Sequence, residues 1–178
     1  MKKIILLLIL SIFIFALVHS ALALETEIIT ENFESGTENW VLEDGWTVVE
    51  KDGEPVLSGN KHSFASFVGA NGVVQRLEAK ISLITGGMHL NIRENTGEGR
   101  SRYFVGLGEG HSYIQKEQTM NFQELTTSNE GISLNEWHEI KIEIIETRID
   151  VYLDGKLLLS AQDQAMLTAG SISFETLE

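Results

Sequence analysis

Short runs of alternating apolar and polar residues recur along most of the chain. They lie at residues 73–81, 88–93, 138–144 and 148–153. Each run collects its apolar residues on one side: Leu77, Ala79 and Ile81; Met88, Leu90 and Ile92; Ile140, Ile142 and Ile144; Ile149, Val151 and Leu153. Because successive side chains of a β-strand point to opposite faces, a period of two is typical of strands with one buried face. The chain therefore predicts half-buried strands and not helices.

Glycine-containing dipeptides separate these runs. Asp154-Gly155 lies between two of them and predicts a tight type I′ hairpin, because both of its residues tolerate positive φ. Further turns are predicted at Asp44-Gly45, Asp52-Gly53, Asn71-Gly72 and Gly86-Gly87, and a loop at residues 96–100. About eleven or twelve strands at roughly ten-residue spacing predict an all-β, two-sheet antiparallel sandwich or barrel. Short helical turns are expected only around residues 163–167.

Composition narrows the class of partner. The chain has 178 residues, with 13 Lys and Arg against 26 Asp and Glu, and a formal net charge of −13. Binding to nucleic acid needs a basic surface, so nucleic acid is excluded as a partner. The absence of cysteine excludes disulfides, thiolate metal sites and cysteine nucleophiles.

Residues 1–23 are predicted to be a secretory signal peptide. Lys2 and Lys3 precede an apolar run from residue 4 to residue 18, and residues 21–23 have the small-x-small pattern of a cleavage site. We expect cleavage before Leu24 and export of residues 24–178 as a single secreted or periplasmic domain. An uncleaved anchor is disfavoured because the run is shorter than the about 20 residues of a membrane span, and no later segment is long enough to span.

The order and spacing of four segments carry a resemblance to a known fold. The segments are residues 31–49 with Trp40 and Trp46, residues 77–107, residues 135–142, and residues 149–156 followed by residues 170–174. Together they resemble the concanavalin A-like lectin and glucanase sandwiches of the laminin G-like group. They are similar in particular to fructan-type carbohydrate-binding modules and to 3-keto-disaccharide hydrolase-like domains. The resemblance implies a jelly roll with a concave ligand face.

The same resemblance bears on the end of the chain. Members of this group usually return one more strand after the segment that matches residues 170–174, pairing near the N-terminal strand. The sequence leaves open whether that last strand is missing here.

Candidate glycan-binding residues concentrate in the middle of the chain. Sugar sites combine polar side chains that bind hydroxyls with an aromatic platform for the ring face. His89, Asn91 and Arg93 alternate with the apolar residues of their strand, so we expect them together on the concave sheet. The resemblance also places an arginine of the family at the equivalent end of this strand.

Neighbouring strands are expected to complete this site. If the strand of Glu78 pairs with that of Arg93, the two side chains lie close together. Tyr103, Tyr113 and His111 come from the following strands and are expected to line the sides of the site. Trp46, beside the Asp44-Gly45 turn, is expected to provide an aromatic surface on which a sugar ring stacks. The alternative is that Glu78 and Arg93 form only a cross-strand ion pair, which contributes at most about 1 kcal/mol.

No segment carries a recognisable catalytic motif. Glycoside hydrolysis needs two carboxylates flanking the scissile bond, and the Glu-x-Asp-x-x-Glu pattern of glucanases with this fold is absent. Glu136 and Glu139 lie three residues apart and face opposite sides of a strand, and Asp154 lies in a turn. The Gly106-x-Gly108-x-Gly110 motif has no helix behind it and predicts a hairpin loop, not a phosphate site.

The sequence predicts no cofactor. The four histidines after residue 23 have no zinc-site spacing. A structural Ca²⁺ ion stays an alternative, because related sandwiches often carry one and acidic residues are plentiful.

The leading hypothesis is a secreted, non-catalytic carbohydrate-binding domain that recognises a glycan on the concave sheet. It depends on Arg93 facing solvent there. One alternative is a glycoside hydrolase-like enzyme of the same fold, which needs two converging carboxylates. Another is a structural or adhesion module that binds protein or the cell envelope through a broad apolar patch. The sugar, the linkage and the oligomeric state are not specified by the sequence.

Overall fold

The structure, a computed structural model, describes residues 28–177, except for the side chains of residues 70 and 71. The predicted signal peptide lies outside the described residues. Thirteen strands follow one another from Trp40 onward, all in one compact unit that begins at Asn32. They are β1 (Trp40–Leu42), β2 (Trp46–Lys51), β3 (Glu54–Gly59), β4 (Ser63–Gly72), β5 (Arg76–Ile81), β6 (Gly87–Asn95), β7 (Ser101–Gly108), β8 (His111–Gln118), β9 (Asn121–Ser128), β10 (His138–Ile145), β11 (Arg148–Leu153), β12 (Lys156–Gln162) and β13 (Gly170–Leu177).

The strands form two large antiparallel layers and one small hairpin. A seven-stranded sheet has the order β1-β4-β13-β6-β7-β8-β9, and a four-stranded sheet has the order β12-β11-β10-β5. Within residues 28–177, strands β2 and β3 pair only with each other. The expectation of an all-β, two-sheet antiparallel fold is confirmed. No helix in the described part of the chain could cross a membrane.

The core lies between the two large sheets and is built from the apolar faces that the alternation predicts. Its fully buried side chains come from β6, β7 and β8 on one side and from β10 and β11 on the other: Leu90, Ile92, Tyr103, Val105, Leu107, Ile114, Ile140, Ile142, Ile149 and Val151. Burial of a Leu or Ile side chain stabilises the fold by about 1.5–3 kcal/mol. This pairing of faces holds the sheets together.

The predicted turns are mostly confirmed. Asp154 and Gly155, between β11 and β12, have φ of 49° and 77°, as a type I′ turn requires. Asp52 and Gly53 form the same kind of turn between β2 and β3, with φ of 57° and 85°. The prediction of a turn at Asn71-Gly72 is wrong, because β4 continues through both residues. Residues 163–167 contain a turn and no helix.

Strands β5 and β6 lie in different sheets. β5 pairs with β10, whereas β6 pairs with β13 and β7. The connection between them places Leu83 in the core and bends at Gly86, where φ is 67°. It therefore carries the chain from one layer to the other. The expected pairing of the Glu78 strand with the Arg93 strand is wrong for this reason.

The last strand occupies the middle of the large sheet. β13 pairs with β4 on one side and β6 on the other. The C-terminal segment thus brings its side chains next to residues that lie at least 77 positions earlier in the chain.

Candidate functional site

One side of the seven-stranded sheet faces away from the core, and we call it the polar face. Alternation along each strand assigns its members: Phe64 in β4, Ser173 and Glu175 in β13, His89 and Asn91 in β6, Arg102 and Phe104 in β7, Tyr113 and Glu117 in β8, and Phe122 in β9. The intervening residues of β6, β7 and β8 fill the core. The same period of two therefore builds both the core and the polar face.

Arg102 is the centre of the polar face. Its Nε donates to Glu117 Oε2 at 2.8 Å, and its Nη1 donates to Asn91 Oδ1 at 2.9 Å and to Glu175 Oε2 at 2.7 Å. All four residues are buried, with Arg102 6% exposed and Glu175 4% exposed. Buried charges are tolerated when they are paired and hydrogen-bonded. Four different strands are fastened by this one guanidinium.

Glu175 receives three cationic or imidazole donors. Besides Arg102, His89 Nδ1 lies 2.8 Å from its Oε2 and His62 Nε2 lies 2.9 Å from its Oε1. Burial by itself would raise the pKa of this carboxyl, but the hydrogen bonds from His89, His62 and Arg102 outweigh it and lower the pKa to about 2. Glu175 is therefore an ionised, acceptor-only group at every physiological pH.

The ring of Tyr113 reaches across a strand to His89. His89, Gly106 and Tyr113 occupy one row of the sheet, on β6, β7 and β8. A Cβ at position 106 would overlap the Tyr113 ring, so the glycine leaves the ring room to lie across β7. The Tyr113 hydroxyl then lies 2.7 Å from His89 Nε2. Both nitrogens of His89 are thus hydrogen-bonded.

A second group of polar residues continues the network toward the other end of β6. Asn91 Nδ2 donates to Ser173 Oγ at 3.0 Å, and Ser173 Oγ donates to Glu94 Oε2. Arg100 Nε donates to Glu94 Oε1 at 3.0 Å. The Arg100 guanidinium also stacks 4.7 Å from the centre of the Phe64 ring. Phe64 and Arg100 therefore flank the buried network.

Three aromatic rings of this face are accessible to solvent. Phe64 and Tyr113 are half-buried, and Phe122 is 55% exposed. Phe122 also contacts the buried Phe104 ring, with centroids 6.3 Å apart. Within residues 28–177 the hydrogen bonds of Arg102 use Nε and Nη1, with none to Nη2. The face thus combines flat apolar rings with fixed donors and acceptors.

Arg93 does not join this face, and the prediction that it does is wrong. Its φ is 51°, and the pairing of β6 with both neighbours shifts register here. Such a bulge moves the next side chains by one place in the alternation. Arg93 is buried on the core side, where Nη1 donates to the Leu167 carbonyl at 2.6 Å, and Glu94 takes the polar-face position instead.

The prediction that Glu78 belongs to this face is also wrong. It lies on β5 in the four-stranded sheet, where it pairs with Arg76 on its own strand. The expected Glu78–Arg93 contact does not form, because the two residues belong to different sheets.

Tyr103 and Trp46 also lie elsewhere. Tyr103 is fully buried between the sheets, where its hydroxyl donates to Asp163 Oδ2 at 2.6 Å, because it shares the apolar face of β7. Trp46 belongs to the two-stranded sheet and packs over Gly59. Of the predicted site residues, His89, Asn91 and Tyr113 come together, and His111 lies beside Tyr113 with ring centroids 5.4 Å apart.

The predictions missed several residues of the polar face: Phe64, Arg102, Glu117, Phe122 and Glu175. Arg102 could have been found, because it alternates with Tyr103 and Val105 in the same way that Asn91 alternates with Leu90 and Ile92. Glu175 could not, since only the pairing of β13 with β6 places it beside His89.

Acidic residues converge on the polar face more than the sequence predicts. Glu117 and Glu175 both contact Arg102. By contrast, Glu136 accepts from Ser133, and Asp154 binds His138 Nδ1 at 2.7 Å. Gly106 and Gly108 lie within β7, so only the last glycine of the Gly-x-Gly-x-Gly motif belongs to the hairpin turn. Among residues 28–177 no three His, Asp or Glu residues are grouped to hold a metal ion.

Comparison with known proteins places the fold. No family model matches the chain, and no curated protein matches it. Among solved structures, the carbohydrate-binding module CBM66 from Bacillus subtilis is similar, with a TM-score of 0.60 and 18% identity over 78% of this chain and 87% of that chain. A Bacillus licheniformis β-glucanase matches with a TM-score of 0.59 and 13% identity, covering 81% of both chains.

A third similar structure is a Bacillus subtilis protein of unknown function with a galectin-like fold. It has a TM-score of 0.64 and 12% identity, over 80% of this chain and 84% of that one. Identities this low indicate fold and not activity. The chain adopts the concanavalin A-like jelly-roll sandwich.

Proposed function

We propose that the protein is a secreted carbohydrate-binding domain that recognises a glycan on the polar face without covalent chemistry. The form of this hypothesis that depends on Arg93 facing solvent is wrong, because Arg93 is buried on the core side. One observation on other residues carries the proposal instead: the buried Arg102–Glu175–His89 network adjoins the half-buried rings of Phe64 and Tyr113, and the exposed Phe122 lies on the same face. Sugar hydroxyls need fixed donors and acceptors, and the C–H face of a pyranose or furanose ring packs on an aromatic plane. The carbohydrate-binding module and the β-glucanase that share this fold support glycan as the partner class.

The state of the carboxylates favours binding over catalysis. A glycosidase needs a general acid that keeps its proton near neutral pH. The lowered pKa of Glu175 gives it the opposite property, and its partner Arg102 also engages Glu117. These carboxylates serve as acceptors that orient the guanidinium. Export is supported by the signal-peptide pattern of residues 1–23.

The test is binding to an immobilised array of polysaccharides that includes β-1,3-1,4-glucan, β-fructan and β-galactan, followed by titration calorimetry. We expect Phe122→Ala to weaken binding about tenfold, because a stacking surface is lost. Met120→Ala is the matched control, since Met120 is an 84% exposed apolar side chain in the neighbouring turn. If the folded protein binds no glycan, or if both variants weaken binding equally, the proposal is wrong.

A glycoside hydrolase-like enzyme is the second candidate. The convergence of Glu117 and Glu175 on one guanidinium favours it, because two carboxylates do approach each other on this face. Release of reducing sugar from β-1,3-1,4-glucan, lost in Glu117→Gln, would establish hydrolysis. We expect no release from either protein. The third alternative, an adhesion module, requires a broad apolar patch, whereas this face is polar and aromatic.

A further inference from the structure

Tyr113 and His89 share a hydrogen bond whose direction is not fixed by geometry alone. The Tyr113 hydroxyl lies 2.7 Å from His89 Nε2, and His89 Nδ1 lies 2.8 Å from Glu175 Oε2. An ionised carboxylate only accepts hydrogen bonds, so His89 Nδ1 carries a proton in every state. What varies is the proton on Nε2.

The protonation of His89 therefore sets the role of the Tyr113 hydroxyl. When His89 is neutral, Nε2 is an acceptor and the phenol donates its only proton inward. The phenol oxygen then offers only lone pairs to the polar face. When His89 is protonated, Nε2 donates to the phenol oxygen, and the phenol proton turns outward. One proton on His89 thus exchanges an acceptor for a donor at the hydroxyl of the half-buried Tyr113.

We propose that Tyr113 is a specificity-determining residue of the glycan site, and that protonation of His89 switches its hydroxyl from acceptor to donor toward the bound sugar. The inference rests on the proposed function, since it assigns the ligand of Tyr113. The form with neutral His89 would then select a sugar hydroxyl that donates at this position. The form with protonated His89 would select one that accepts.

The charged and titratable groups around His89 leave His89 as the group whose protonation controls the Tyr113 hydroxyl. β13 contributes Glu175, which is ionised above about pH 2. β7 contributes Arg102, whose guanidinium contacts the same carboxylate, and the segment before β4 contributes His62 on its other oxygen. Burial and the nearby Glu175 charge raise the pKa of the Tyr113 phenol, which stays protonated wherever histidines titrate.

Two other histidines must be separated from His89 in any test. His62 contacts Glu175 and not the phenol, whereas His111 lies against the Tyr113 ring at 5.4 Å between centroids, with no hydrogen bond to its hydroxyl. His111→Gln is therefore the matched control for His89→Gln. Both remove an imidazole near Tyr113, but only one removes the partner of its hydroxyl.

The first experiment needs no sugar. The protein is labelled with ¹⁵N histidine and ¹³Cζ tyrosine and titrated by NMR from pH 8 to pH 5. Where His89 is neutral we expect the Nδ1–H tautomer, and we expect the Tyr113 ¹³Cζ signal to shift with the same midpoint as His89. That shift should persist in His111→Gln and disappear in His89→Gln. An Nε2–H tautomer of neutral His89, a His89 whose protonation does not change over this range, or a Tyr113 signal that follows His111 overturns the inference.

The second experiment uses the polysaccharide that binds most strongly in the array. We expect its Kd to change about three- to tenfold between pH 8 and pH 5.5, and Tyr113→Phe to abolish most of that change. The phenylalanine keeps the ring, so its folding is not at issue. A pH dependence that survives Tyr113→Phe overturns the role of Tyr113 alone. Failure of every polysaccharide to bind at both pH values overturns the proposed function and this role with it.

Discussion

The two faces of the large sheet each carry a buried ionic cluster, and the clusters differ in what they leave open. On the core side, Asp163 accepts from Lys116 at 2.7 Å and from Tyr103 at 2.6 Å. Burial opposes ionisation of Asp163, but the bonds from Lys116 and Tyr103 keep its pKa below the usual range. This cluster fastens the connection between β12 and β13 over the end of the core. The hydrogen bonds of Asp163 with Lys116 and Tyr103 both lie on the core side of the sheet.

The polar-face cluster is just as buried but is bordered by rings that solvent reaches. The Arg102 guanidinium lies 5.8 Å from the centre of the Phe64 ring, and His89, which contacts Glu175, is hydrogen-bonded to the Tyr113 hydroxyl. Buried charge by itself is therefore a poor indicator of function, because both clusters have it. What distinguishes the polar face is that its fixed donors and acceptors adjoin accessible aromatic surface.

The largest expected effect comes from removing the guanidinium of the polar-face cluster. Arg102→Met leaves two buried carboxylates without their counter-ion, so we expect the free energy of unfolding to fall by about 3–5 kcal/mol. Urea unfolding measures this loss, and glycan binding should fall with it. Arg76→Met, which breaks an exposed pair with Glu78, is the control and should change little. Equal losses in the two variants would contradict the central role of Arg102.

Acid should selectively weaken the same cluster. The pKa of Glu175 is lowered from 4.5 to about 2 in the folded protein, so the stability it contributes is complete above pH 4.5 and is lost as the pH falls toward 2. The contribution is on the order of 3 kcal/mol.

Urea unfolding of the protein and of Glu175→Gln at pH 6, 4 and 3 tests this linkage. The difference in unfolding free energy between the two proteins should shrink as the pH falls. A difference that stays constant over this range would show that Glu175 does not carry the linkage.

Breaking the core-side cluster should separate stability from binding. Lys116→Met removes a charged donor from Asp163, and we expect a loss of about 2–3 kcal/mol in unfolding free energy. Because Tyr103 and the Leu167 amide still hold the connection, the fold should persist. Calorimetry should give an unchanged glycan Kd. If binding falls as much as in Arg102→Met, the two faces are not independent.

The smallest expected effect comes from a substitution at Gly106, in the row formed by His89, Gly106 and Tyr113 on β6, β7 and β8. In Gly106→Ala the added Cβ overlaps the Tyr113 ring and forces it off His89. We expect a destabilisation of about 1–2 kcal/mol from overpacking. The pH-linked NMR signal of Tyr113 should also disappear, whereas Gly108→Ala, on the same strand with its added Cβ no nearer than 3.8 Å to any neighbour, should keep it. Retention of the signal in Gly106→Ala would mean that the ring does not lie over this glycine.

Local pattern was enough to predict part of the candidate site. His89 and Asn91 follow from the alternation of β6, because the face that a strand side chain takes is set by its immediate neighbours. Tyr113 was predicted only as a residue lining the site from a following strand, together with Tyr103, which the structure places in the core. The prediction for Arg93 was wrong because a bulge interrupts the alternation of β6 at this residue. The neighbouring residues give no sequence signal for its φ of 51°. The prediction for Glu78 was wrong because alternation indicates which face of its strand a residue occupies, but not which sheet the strand joins.

The amino-acid sequence by itself determined the strands, the tight turns and the apolar faces that form the core, since these depend on interactions between near neighbours. Only the tertiary structure decided that β13 lies between β4 and β6, and hence that Glu175 meets Arg102, His89 and His62. Long-range strand order is settled by the packing of whole layers. A polar face assembled from six strands is therefore visible only after the chain has folded.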